Sequence, residues 1–174
     1  MPTHEPSHRF NAPWSTALKG MSAFATLLLL SLPGIAFTLI PPHQPVAQWV
    51  LCLTGPIVLI SSALFMVRGY TIHGSTLQIQ RLFWTSHFPL QGLLSVTAEG
   101  PALKNSLRLA GNGGVFSFTG LYRHSRIGNY RCFVTDFQNC VVLRFEKRTL
   151  VVSPHDPRRF VDLLEHSLNP HRWN

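Results

Sequence analysis

The chain has 174 residues, 15 Lys and Arg against 7 Asp and Glu, and a formal charge of +8. With about the first seventy residues taken by an apolar anchor, the remaining hundred or so are expected to make one domain, not two. Its three cysteines, Cys52, Cys132 and Cys140, have the spacing of neither a disulfide framework nor a zinc or redox pair.

In chain order, residues 1–19 read as a polar tail. No Asp, Glu, Lys or Arg lies between Lys19 and Arg68. Residues 20–40 and 46–67 are apolar runs joined by PPHQP, each about the twenty residues a helix needs to cross a hydrocarbon core. Together, residues 20–67 are expected to form a transmembrane hairpin. Arg9 and Lys19 precede it, Arg68 and Arg81 follow it, and its loop carries neither Lys nor Arg. The positive-inside rule then puts both termini on the cytoplasmic side of the inner membrane. A cleaved signal peptide is the alternative for the first run, but the long polar lead and long apolar core favour a retained helix. Trp14 and Trp49 are expected as interfacial anchors. Pro33-Gly34 and Gly55-Pro56 are expected to loosen the helices and to let them pack closely. The thiols read as free in a reducing compartment, with a Cys132–Cys140 hairpin bridge as the alternative if the domain is exported.

After Arg68 the period changes. YTIHGSTLQIQRLFW alternates about a Gly74-Ser75 turn and predicts a β-hairpin. Residues 85–88 predict a third strand and 93–98 an apolar patch. Residues 106–110, 115–118 and 129–135 predict strands, with GNGG at 111–114 as a hairpin turn and 120–129 as a basic loop. Residues 140–145 and 149–153 predict a hairpin about Glu146-Lys147-Arg148. Asp156 as N-cap, Pro157 and the spacing of Phe160, Leu163, Leu164 and Leu168 predict an amphipathic helix, stopped by Asn169-Pro170. Residues 169–174 are left as a tail. About seven strands closed by one helix predict a sandwich or small barrel with a plug, of α+β, mainly β class.

Residues 68–168 resemble the bacterial pleckstrin-homology-like (PH-like) family of small membrane proteins. The resemblance rests on GYTIHGSTLQIQRL, Phe88-Pro89-Leu90, SLRLAGNGGVFSFTGLYR, IGNYRCFVTD and VVLRFEKRTLVVSPHDPRRFVDLL. It implies a PH-like fold attached to a transmembrane hairpin, and it carries no catalytic motif. Lipid, peptide and protein ligands all remain open on such a fold.

Arg123, Arg126 and Arg131, with Tyr122 and Tyr130 between them, form the densest basic group and the candidate ligand-binding edge. A solvated loop is the plainer reading of that charge run. Lys147, Arg148, Arg158 and Arg159 read as a hairpin tip and a helix face. Nine histidines lack metal-ligand spacing, no GxSxG elbow marks a nucleophile, and Asp136 reads as a turn residue. No metal, cofactor or catalytic residue is therefore expected. The expected role is that of a non-catalytic, membrane-anchored module. It would serve protein interaction, self-association or assembly, or alternatively bind anionic lipid head groups or acidic ligands. No nucleic-acid partner is expected, because no basic motif with a reading helix accompanies the charge.

Overall fold

The computed structural model describes residues 7–168 apart from Lys104. The expected Asn169-Pro170 stop and the tail 169–174 lie outside them. The elements are β1 (Ser7–Asn11), α1 (Thr16–Leu39), α2 (Pro45–Leu64), β2 (Gly69–His73), β3 (Thr76–Gln80), β4 (Thr85–Pro89) and β5 (Leu93–Ala98). They continue as β6 (Leu107–Val115), β7 (Ser117–His124), β8 (Gly128–Val134), β9 (Val141–Phe145), β10 (Thr149–Val152) and α3 (Pro157–Leu168).

The helix α1 begins earlier than its apolar run because Ser15 caps it, its hydroxyl accepting from the Leu18 amide at 3.2 Å. The helix α2 opens on Pro45, where a missing N–H is harmless. Both helices are long and apolar enough to cross a membrane, and only 11% and 6% of their most apolar stretches are buried. They run through their internal prolines, Pro33 and Pro56. Pro33 has no N–H for the carbonyl four residues back, that of Leu29. That oxygen is the atom a Cβ on Gly55 would strike. The two helices therefore meet backbone to backbone at Leu29 and Gly55, in the manner of small-residue helix contacts. Gly34, by contrast, has no neighbour a Cβ would touch. The close packing expected of both Pro/Gly pairs is realised at one.

The strands form two sheets, one ordered β1-β2-β3-β4 and the other β5-β9-β10-β8-β7-β6. The second contains a parallel pair, β10 with β8, among antiparallel neighbours. Nine strands follow Arg68 where about seven were expected, the apolar patch at 93–98 being the strand β5. A tenth comes from the N-terminal tail. Residues 7–11 pair antiparallel with β2, Ser7 against His73 through Asn11 against Gly69. Phe10 drives this pairing, burying its ring edge-on against Phe160 of α3, centroids 5.0 Å apart.

Between the sheets lies one apolar cluster containing Tyr70, Leu77, Ile79, Leu143, Leu150, Phe160 and Leu164. The helix α3 plugs it as the helical spacing predicted, with the Asp156 carboxylate accepting from the Arg159 amide at 3.1 Å. A second cluster covers the other side of the six-stranded sheet. There Tyr122, Tyr130, Cys132, Val134, Cys140, Val142 and Val151 pack beneath Leu103 and Phe137. The Tyr70 hydroxyl donates to the Phe133 carbonyl at 2.6 Å and accepts from the Ser153 amide at 3.1 Å. This buried network ties β2 to β8 and to the end of β10, leaving few polar groups unmatched in the core.

Candidate functional site

The fold divides the basic group singled out from sequence. The expected loop at 120–129 is strand at both ends, with only Ser125, Arg126 and Ile127 forming the turn. Tyr122 and Tyr130 are cross-strand partners. Both are buried, their rings 6.0 Å apart in the second cluster, so neither is displayed at a loop edge. Arg126 pairs with Glu99 at 3.3 Å. Arg123 stands exposed on β7, opposite Asn129. Arg131 lies opposite Leu121 and faces a different region of the molecule. Of the second basic group, Arg148 packs over the rings of Phe145 and Phe88 at 4.8 and 5.4 Å. Asp136 caps the short turn Phe137–Asn139, accepting from the Gln138 amide at 2.9 Å.

GNGG is not the turn. It ends β6, and the chain reverses at Phe116, whose φ is 65°. Two forces override the local Asn-Gly preference. Gly111 and Gly120 are directly paired across β6 and β7 with φ of 108° and 136°. A Cβ on either would overlap the facing backbone, so both strands need glycine there. Asn112 then organises the tip from within the strand. Its side-chain oxygen accepts from the amides of Gly114 and Val115, and its carbonyl accepts from the Tyr122 hydroxyl at 2.8 Å.

This tip docks on the ends of both apolar helices. The Phe116 amide donates to the Ser22 hydroxyl of α1 at 2.9 Å, and that hydroxyl donates to the Gly114 carbonyl at 3.4 Å. The Ser117 hydroxyl donates to the carbonyl of Phe65, the C-cap of α2, at 3.3 Å. Trp14, expected as an interfacial anchor, packs against Phe116 with centroids 6.1 Å apart. Trp49 is exposed on α2.

Beside the tip, Arg81 reaches from the end of β3 to the same helix end. Its guanidinium donates to the Phe65 carbonyl at 3.1 Å and to the Ser86 hydroxyl at 3.3 Å. The rings of Phe133, Phe65 and Trp84 lie 5.2, 5.5 and 5.6 Å from it. A cation at a helix C-terminus is favourable, and α2 has none of its own in its last turn. Burial of the Arg81 guanidinium lowers its pKa from the ordinary arginine range. Between this contact, the end of α2 and the outer strands of the large sheet lies a cavity of about 820 Å³, lined also by Arg108 and Arg131. The sequence marks Arg81 only as a charge flanking the hairpin and does not mark Arg108, because the two sit far apart in it and come to one cavity only through the fold.

The buried thiols and phenols are held in their neutral forms. Burial pushes the Cys132 thiol well above its usual value and the Cys140 thiol up to about 12. A thiol held neutral in an apolar setting is a poor nucleophile. All three cysteines are free, without the Cys132–Cys140 bridge considered from the sequence. Burial likewise raises the pKa of Tyr70, Tyr122 and Tyr130. Among the described residues no group of three or more His, Cys, Asp or Glu could hold a metal ion.

A two-sheet β-sandwich plugged by a C-terminal helix is the architecture of a PH-like domain. The chain belongs to the bacterial PH domain family, which matches residues 68–168. Neither the curated proteins nor the solved structures include a match to it. The matched region begins at β2, so β1 and the apolar helices lie outside it.

Proposed function

We propose that this protein is a membrane-anchored, non-catalytic PH-like binding module. It works at the cytoplasmic face of the inner membrane, as a site of protein interaction or assembly. The observation that carries this reading is the pairing of β1 with β2 across the apolar hairpin. Residues before α1 and after α2 share one sheet. If α1 and α2 span a bilayer, both ends must lie on one side, in agreement with the charges flanking them. The β6–β7 tip and Arg81 then hold the domain against the membrane surface rather than leaving it on a free tether. PH-like domains are generally binding modules, and the buried, neutral thiols and phenols favour binding over catalysis.

The edge strand β6 favours a protein partner. It is the outermost strand of its sheet, and Leu107 and Leu109 on it are 64% and 46% exposed. An open edge with apolar side chains accepts an added strand.

The test is carbonate extraction followed by cysteine labelling in intact cells. The expected result is a protein that resists extraction, with His43→Cys labelled from outside and Ser125→Cys labelled only after permeabilisation. Extraction into the supernatant, or labelling of both positions from one side, overturns the reading.

A further inference from the structure

The two sheets have four edge strands, β1 and β4 in one, β5 and β6 in the other. Three of them are guarded. The strands β1 and β4 have five residues each, and β4 ends on Pro89. The strand β5 carries a bulge between Leu93 and Ser95, and α3 packs against it. Short length, proline, bulges and covering helices all discourage strand addition. The strand β6 has nine residues and no proline, and its one charged residue is Arg108.

Every residue from Leu107 to Gly111 is exposed. A half-buried strand hides every second side chain. Neither face of this stretch is buried, so the start of β6 stands out from the sandwich as the rim of the β6–β7 ribbon. The ribbon is also uniformly basic. From Gly100 to Thr135 the chain has Lys104, Arg108, Arg123, Arg126 and Arg131 and no Asp or Glu. Glu99 takes Arg126. Arg108, Arg123 and Arg131 are exposed and have no carboxylate partner among the described residues. Leu107 lies opposite Arg123 and Leu121 opposite Arg131, so apolar and cationic residues adjoin on neighbouring strands.

We propose that β6 binds an acidic, extended segment of a partner protein as an added strand beside Leu107–Gly111. The backbone of that segment satisfies the open N–H and C=O groups of the edge. Its apolar side chains cover Leu107 and Leu109, and its carboxylates complement the basic ribbon. The inference rests on the protein-binding reading above and adds the chemistry of the partner. A second copy of this chain is disfavoured, because it would set the basic strip against itself. Bilayer hydrocarbon is disfavoured because it offers the open backbone groups no partner.

The full chain in detergent would be titrated against fluorescein-labelled Glu-Val-Glu-Val-Glu-Val-Glu and followed by fluorescence anisotropy. Saturable binding of one peptide per chain is expected, at least tenfold weaker for the Lys-Val counterpart. N-methylation of alternate amides should abolish binding in one phase, on Val or on Glu, and spare it in the other. Only every second amide of an added strand faces β6. Arg108→Gln/Arg123→Gln should weaken binding at least tenfold, and Leu107→Ser/Leu109→Ser severalfold. Lys147→Gln/Arg159→Gln removes the same charge elsewhere and should leave it unchanged. Absence of binding, indifference to the methylation phase, or equal effects of the two charge pairs overturns the inference. So does self-association that the peptide does not dissolve, which assigns the edge to a second copy. Binding lost when the chain is placed in a nanodisc assigns the edge to the bilayer and overturns it too. Equal affinity for the Lys-Val peptide keeps β6 as a protein site and removes the acidic partner, so the two readings fail separately.

Discussion

On one side of the β7–β8 hairpin, Tyr122 stands beside Tyr130, with Cys132 and Val134 further along in a dry cluster. On the other, Leu121 stands beside Arg131 and Thr119 beside Phe133, facing the crevice at the end of α2. Neighbours in sequence, Tyr130 and Arg131, are therefore in opposite environments, because successive side chains of a strand point to opposite faces. Arg108 and Arg81, remote in sequence, share a cavity with Arg131. A cluster counted along the chain is a cluster in space only when strand parity and register agree.

Substitution of those two neighbours gives the largest contrast. Tyr130 is 1% exposed and Tyr130→Ala should destabilise the protein by about 3–5 kcal/mol, the usual loss for a buried aromatic ring. Arg131→Gln should change stability by less than about 0.5 kcal/mol, as surface substitutions do. Thermal denaturation of the full chain in detergent would measure both. Comparable losses at the two positions would mean that the faces are not distinct.

The seam between the faces comes next. Gly120→Ala places a Cβ against the Ala110 carbonyl at a positive φ. Strain and overpacking of that kind cost about 1–3 kcal/mol each. The same denaturation experiment should show a clear loss, whereas Gly128→Ala, at φ 73° with nothing within 4 Å, should lose only the smaller strain term.

These glycines also mark what the sequence could disclose. Alternation in YTIHGSTLQIQ and the Asp156-Pro157 cap made β2, β3 and α3 readable, since local pattern and tertiary burial agree there. The strand β1 was hidden. SHRFN has one apolar residue, Phe10, and its partner lies on the far side of the apolar hairpin. GNGG carried the right turn chemistry one step too early, because the Gly111–Gly120 contact, which no local window contains, holds it in the strand. The candidate crevice was hidden for the same reason. Arg81, Arg108 and Arg131 line one cavity only once β6, β7, β8 and α2 are placed, while Arg123, Arg126 and Arg131 merely lie close in the chain.

Alkaline pH probes the dry face as a whole. Burial raises the pKa of Cys132, Cys140, Tyr122 and Tyr130, with Cys140 reaching about 12. In the unfolded chain a thiol loses its proton near pH 8.5 and a phenol near pH 10, both about the ordinary values. Above those values the unfolded state binds fewer protons than the folded one, so stability falls as pH rises. For Cys140 the fall runs from about pH 8.5 to its folded value of about 12. The melting temperature should decline steadily from pH 9 to 11, and less steeply in Cys132→Ala/Cys140→Ala when each is referred to its own value at pH 7. An unchanged slope would mean that the thiols contribute nothing to it.

The smallest effect is expected where the two faces meet, at the turn after β7. Arg126 sits there and pairs with Glu99, with its side chain 62% exposed against 19% for the carboxylate. An ion pair so open to water gains little over the two solvated groups and is screened by salt, contributing about 0–1 kcal/mol. Arg126→Gln should lower stability within that range in low salt and not measurably in 0.5 M NaCl. A loss in low salt that persists in 0.5 M NaCl would mean that the pair is held by its packing at the turn and not by its charge.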